Sequence, residues 1–153
     1  MATVEKTIEV NVPVHAAYNQ WTQFETFPQF MEGVKEVRQE GDTRLHWKAE
    51  IAGKKEEWDA DIVEQVPDKR IAWQSTSGAP NSGTVSFQPV SDTRTKVKLE
   101  LEAEPQSVTE KLGGAVGVLD RQVKSDLEKF KEFIESRGGQ STGAWRGEIE
   151  PRA

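Results

Sequence analysis

From Val34 to Glu104 the chain alternates apolar and charged side chains with period two, segment after segment, and that pattern admits few folds. In Arg44–Ala52, Leu45, Trp47, Ala49 and Ile51 share one face while His46, Lys48 and Glu50 share the other. In Lys55–Val66, Trp58, Ala60 and Ile62 oppose Glu57, Asp59 and Asp61. Val34–Glu40, Arg70–Thr76 and Thr84–Val90 are shorter segments of the same kind, and Thr95–Glu104 sets Val97, Leu99, Leu101 and Ala103 against five charged residues. Strands that alternate this cleanly make an antiparallel sheet with one dry face and one wet face. The intervening sequences carry turn chemistry: Gly53-Lys54, Pro67-Asp68-Lys69 and Ser91-Asp92-Thr93, with a longer loop expected over Ser77–Gly83.

Another strand precedes this meander, over Thr3–Val12, and Pro13 ends it. Val14, Ala17, Tyr18 and Trp21 then fall on one face of a short helix, and a second brief apolar segment holds Phe24, Phe27, Phe30 and Met31 around Pro28. The last element is a long helix expected from about Ser107 to Arg137. Ser107 and Glu110 have capping-box spacing, and Leu112, Val116, Leu119, Val123, Leu127, Phe130 and Ile134 recur at steps of four and three. Asp120–Lys124 and Lys131–Glu135 are expected as pairs on its wet side. Residues 1–137 therefore read as one domain and 138–153 as a mobile polar tail.

Composition removes whole classes of function. The chain of 153 residues has no cysteine, so disulfides, thiolate metal sites and cysteine nucleophiles are excluded together. Its net charge of −6 and the lack of a basic run disfavour a nucleic-acid surface. No apolar stretch approaches the roughly 20 residues of a membrane span. Neither a signal segment nor a cofactor motif is read, and a cytoplasmic protein without stable membrane insertion is expected.

These elements must share one core. The terminal helix is the only element long enough to cover the dry face of seven strands. A helix about 10 Å across cannot fill the concave side of so wide a twisted sheet, so a pocket is expected between them. Its lining is expected from Tyr18, Trp21, Phe27, Phe30, Met31, Trp47, Trp58, Trp73, Phe87, Leu119, Val123 and Leu127.

The order strand, two short helices, meander, long helix resembles the START-like (SRPBCC, helix-grip) superfamily. The segments Ala17–Trp21 and Phe27–Val34 are similar to the opening of its polyketide cyclase/dehydrase family. His46-Trp47, Glu57-Trp58, Pro67–Trp73 and Gly83–Phe87 resemble its later strands. The resemblance implies an α+β fold: a curved seven-stranded antiparallel sheet wrapped around a long C-terminal helix, with two short helices between strands 1 and 2. It also implies an internal cavity for a hydrophobic ligand such as a polyketide, lipid or quinone. Some relatives cyclise polyketides and others only carry a ligand, and fold alone does not choose between them.

The residues favour binding over chemistry. His46 lies on the charged face and is expected to be solvated, and His15 sits at a helix start. No histidine pair has metal-ligand spacing, so no metal is expected. Glu57, Asp59 and Asp61 share the wet face, where neither burial nor close charge is expected to tune a carboxylate. Tyr18 is the one catalytic candidate, and Lys6, Asn19, Ser75 and Thr76 are possible polar anchors. The alternatives are a polyketide cyclase or aromatase, and a protein-interaction module that uses the tail around Trp145. Ligand identity and oligomeric state stay open.

Overall fold

In the computed structural model, residues 2–31, 34–41, 43–51, 54–78, 81–103, 114–138, 140, 141, 143, 147 and 149 are described. Strand β1 (Ala2–Val10) is followed by α1 (Val14–Trp21) and a 3-10 helix (Phe24–Gln29) that contains Pro28. Then come β2 (Val34–Gln39), β3 (Arg44–Ile51), β4 (Lys54–Val66), β5 (Arg70–Gly78), β6 (Asn81–Ser91), β7 (Arg94–Ala103) and α2 (Gly114–Ser136). The seven strands form one antiparallel sheet in the order β1-β7-β6-β5-β4-β3-β2. Successive strands are neighbours, except that β1 closes against β7. The expected start of the long helix, residues 107–113, lies outside the described residues, as does Trp145.

The alternation expected from sequence sets the inner face. Leu45, Ala60, Ile71, Val85 and Val97 are fully buried on neighbouring strands. Two details differ from the sequence reading. Strands β5 and β6 extend through Gly78 and from Asn81, so most of the expected Ser77–Gly83 loop is strand. Strand β4 carries register shifts between Asp59 and Ala60 and between Ile62 and Glu64. An extra residue of this kind reverses the side on which later side chains emerge. Val63 points outward by plain alternation with the inward Ile62, and the shift there turns Gln65 inward, where it pairs with Ile71 and is 1% exposed. The turn after β4 places Asp68 at φ 63, a left-handed conformation that Asp tolerates better than most residues.

At the end of the sheet where β1 finishes, aromatic side chains fill the space beneath the helices. Phe130 of α2 lies 4.8 Å from Trp21 of α1 and 5.6 Å from Phe30, ring to ring. Trp21 also meets Phe27 at 5.6 Å, and Tyr18 meets Phe87 of β6 at 5.5 Å. These are mostly edge-to-face contacts, the arrangement ring quadrupoles favour. Helix α2 is tied to β1 by polar contacts as well. The Lys6 ammonium is 3.0 Å from Asp120, Lys131 donates to the Glu9 carbonyl, and the Asn11 amide donates to Glu135. Lys131 also pairs with Glu135 as expected, but Asp120 reaches across to Lys6, because Lys6 occupies the inward register of β1.

The segment after α2 also touches the domain. Ile149 bridges antiparallel to Gln65, with both backbone hydrogen bonds at 2.8 Å, and Gly143 packs against the Gln23 amide. It occupies the stretch of β4 beyond its pairing with β3, which runs only as far as Asp61.

On the outer face, His46 is held more firmly than the sequence suggested. Its Nδ1 lies 2.6 Å from Asp59 and its Nε2 lies 2.6 Å from Glu57. Its side chain is only 15% exposed, so it is flanked by carboxylates rather than freely solvated. The Ser77 hydroxyl donates to the second Asp59 oxygen. Glu40, His46 and Asp59 bring one donor atom each within 4.8 Å of one another, a grouping made by strand pairing that spacing along the chain does not reveal. Hydrogen bonds to Asp59 and then Glu57 push the imidazole above its ordinary value of 6.5, against a smaller opposing effect of burial. Asp59 is drawn below its ordinary 3.8, chiefly by His46 and then by Ser77.

Two predictions follow from these contacts. Phe130 is fully buried against the rings of Trp21 and Phe30, so Phe130→Ala should cost about 3–5 kcal/mol in urea denaturation. A raised histidine pKa stabilises the fold fully below 6.5 and loses that effect as pH rises through the raised value. The lowered Asp59 value contributes above 3.8 and fades as pH falls through it. The stability advantage of the wild type over His46→Gln should thus be larger near about pH 6 than near about pH 9. Equal gaps at the two pH values would show that no imidazolium forms between the carboxylates.

Candidate functional site

The inner face has two unlike ends. At the end where β1 finishes, Tyr18, Trp21, Phe27, Phe30, Met31, Phe87, Val123 and Leu127 are all buried and packed into one cluster. At the opposite end, where β3, β5 and β7 finish, the inner face carries Trp47, Trp58 and Trp73, and each is only half-buried. Leu119 lies on α2, but its side chain is outside the described residues. The sequence-derived lining thus divides into a packed floor and an indole-lined end.

Strand pairing explains how the indoles come together. Trp47 of β3 and Trp58 of β4 are direct cross-strand partners, so their side chains leave the sheet on the same side. Their rings stack with centroids 5.8 Å apart and an interplanar angle of 9°. Trp47 also contacts Phe27 at 5.7 Å, which links the pair to the floor. Trp73 of β5 pairs with Ile62 and Gly83. Its ring lies over Gly83: a Cβ built there would stand 2.5 Å from the indole. A residue without a side chain is therefore required beside it. The Trp73 Nε1–H donates to Asn81 Oδ1 at 3.2 Å, and the Asn81 amide donates to Ser75 Oγ, which fixes the ring. The sequence left the facing of Trp73 open, and its packing against the core places it inward.

Interior polar groups sort into two kinds. Thr95 donates to the Val12 carbonyl, Thr22 to the Asn19 carbonyl, and Gln20 to Thr26. Among the described residues, by contrast, the Gln65 amide has no hydrogen-bond partner on either atom, nor do the indole nitrogens of Trp47 and Trp58, although all are shielded from solvent. Gln65 was missed from sequence because its inward position depends on a bulge in β4, which composition does not mark. Among the described residues, no Asp, Glu, His, Lys or Arg is fully buried. Outside the core, Gln29, Phe30, Lys129, Glu132, Phe133 and Ser136 line an open groove of about 370 Å³ between the 3-10 helix and α2.

Comparison with known proteins agrees with this architecture. A protein of Streptomyces lincolnensis, described as an uncharacterized 17.2 kDa protein in the melC2-rnhH intergenic region, is 54% identical over 150 residues, covering 97% of this chain and 99% of that one. A START superfamily protein from Mycobacterium smegmatis superposes with a TM-score of 0.77 at 15% identity, covering 90% of this chain and 99% of the other. The ZhuI aromatase/cyclase from Streptomyces sp. R1128 gives 0.71 at 17% identity, covering 89% and 94%. At these identities the two structures speak to the fold alone. The family model for polyketide cyclase / dehydrase and lipid transport matches residues 10–132, so the chain belongs to that family, on a START-like fold.

Proposed function

We propose that the chain binds a hydrophobic small molecule, of the polyketide, lipid or quinone kind, against the inner face of its sheet. The observation that carries this reading is the unequal burial of that face. The floor is closed, whereas Trp47, Trp58 and Trp73 keep accessible surface on the same side of the sheet. Inward-facing indoles that remain accessible are available to a guest. Each 100 Å² of apolar ligand surface they cover contributes about 2.5 kcal/mol before ordering costs. In this reading Tyr18, Phe87 and Leu127 form the floor beneath the ligand, and the three tryptophans make the principal contacts. Val123 and Leu127 bring α2 against the same interior.

Binding is favoured over acid–base catalysis on a physical ground. Catalytic carboxylates and histidines are tuned by burial or by close like charges, and the buried residues described include no ionisable acid or base apart from Tyr18. The carboxylates nearest a histidine, Asp59 and Glu57, stand on the opposite, outer face.

Native mass spectrometry of the protein purified from its source tests the proposal. A bound species of small-molecule mass that survives gentle desolvation is expected. Gly83→Val should displace the Trp73 ring and weaken retention of that species at least fivefold. The absence of any adduct, together with a Trp fluorescence spectrum unaltered by apolar aromatic probes, would remove the reading.

A further inference from the structure

Resting on the small-molecule reading above, we infer that the ligand is oxygenated and that the indole N–H groups of Trp47 and Trp58 donate hydrogen bonds to its carbonyl or hydroxyl oxygens. The two indoles are cross-strand partners on the inner face, nearly parallel at 9°, with centroids 5.8 Å apart. Each Nε1 is shielded from solvent and neither has an acceptor among the described residues. Trp73 shows what this interior does with an indole that it satisfies itself: it supplies Asn81, 3.2 Å away. Indole nitrogens can donate but not accept, so the missing partner must be an acceptor. A purely hydrocarbon guest would leave both bonds unmade, which is costly in an apolar interior. A flat molecule edged with oxygen would match the donors and lie along the stacked rings.

A second interior group points the same way. Gln65 is 1% exposed and lies in a cross-strand row with Ile71, Val85 and Leu99, all buried, yet among the described residues both atoms of its amide lack partners. It stands seven residues from Trp58 along β4, roughly 20 Å away at about 3.3 Å per residue. The interior thus offers hydrogen bonds at two separate points, and a hydrocarbon chain could use neither.

The test compares 9-fluorenone with fluorene, which share a planar three-ring skeleton and differ by one carbonyl, in equilibrium dialysis against the full chain. A pocket without donors favours the more hydrophobic fluorene. The wild type is expected to favour fluorenone. Trp47→Phe and Trp58→Phe, each made separately, are expected to reduce that preference about fivefold or more, over and above the loss of affinity for both compounds that the smaller ring brings. The ratio of the two affinities isolates the N–H from the change in ring size, and circular dichroism confirms that each variant is folded. A wild type that binds fluorene as well as or better than fluorenone, or a preference unaltered in both variants, overturns the inference and leaves the small-molecule reading standing. Binding of neither compound overturns both.

Discussion

The ring contacts around Phe130 hold together parts of the chain that would otherwise have little reason to stay joined. Phe130 comes from α2, Trp21 from α1 and Phe30 from the end of the 3-10 helix, and Trp21 in turn reaches Phe87 of β6. A sheet with one apolar face is unstable in water until that face is covered, and this junction is where the cover is fastened. Polar ties also join α2 to β1 and the residue after it: Lys6 with Asp120, Lys131 with the Glu9 carbonyl, and Glu135 with the Asn11 backbone N–H. Such exposed polar contacts contribute little stability, but they fix the direction in which the helix leaves the aromatic junction.

From that fastening comes the asymmetry of the interior. Side chains near the junction reach crystal-like packing, with Tyr18, Phe130 and Ile134 fully buried. The three indoles at the other end lie on the same face but beyond this packing. The end away from the junction is tryptophan-rich. Under the proposed small-molecule reading, Trp47, Trp58, Trp73 and Gln65 are the groups of this chain that would select among guests.

The course of the chain was legible because its strongest signals are local. Alternation in Arg44–Ile51 and Arg94–Ala103 and the four-three stripe through Phe130 and Ile134 each state a period and a buried face without reference to distant residues. The harder features all depend on pairing. A bulge moved Gln65 inward, cross-strand register set His46 between Asp59 and Glu57, and inward register sent Lys6 to Asp120. The inward register of Lys6 is readable from Val4, Ile8 and Val10, but its partner is not, and the other two depend on which residues of another strand lie opposite. The tryptophans were recognisable as interior residues, but the difference between the floor and the accessible end emerges only when burial is known.

The pairing of the first strand with the last has a further implication for how the protein comes to exist. Every hydrogen bond that β1 makes to the sheet goes to β7, with Ala2 opposite Ala103 and Val10 opposite Thr95. During synthesis the N-terminal strand emerges about a hundred residues before its partner and must wait as an unpaired ribbon. Such long-range closure is slow and exposes the strand to unwanted association. Glu5, Lys6 and Glu9, interleaved with Val4, Ile8 and Val10, give the waiting ribbon charges that oppose self-pairing until Arg94–Ala103 arrives. The same charges then find Lys98 and Arg94 of β7 and Asp120 of α2 in the finished fold, so the residues that keep the nascent strand apart also help to seat it.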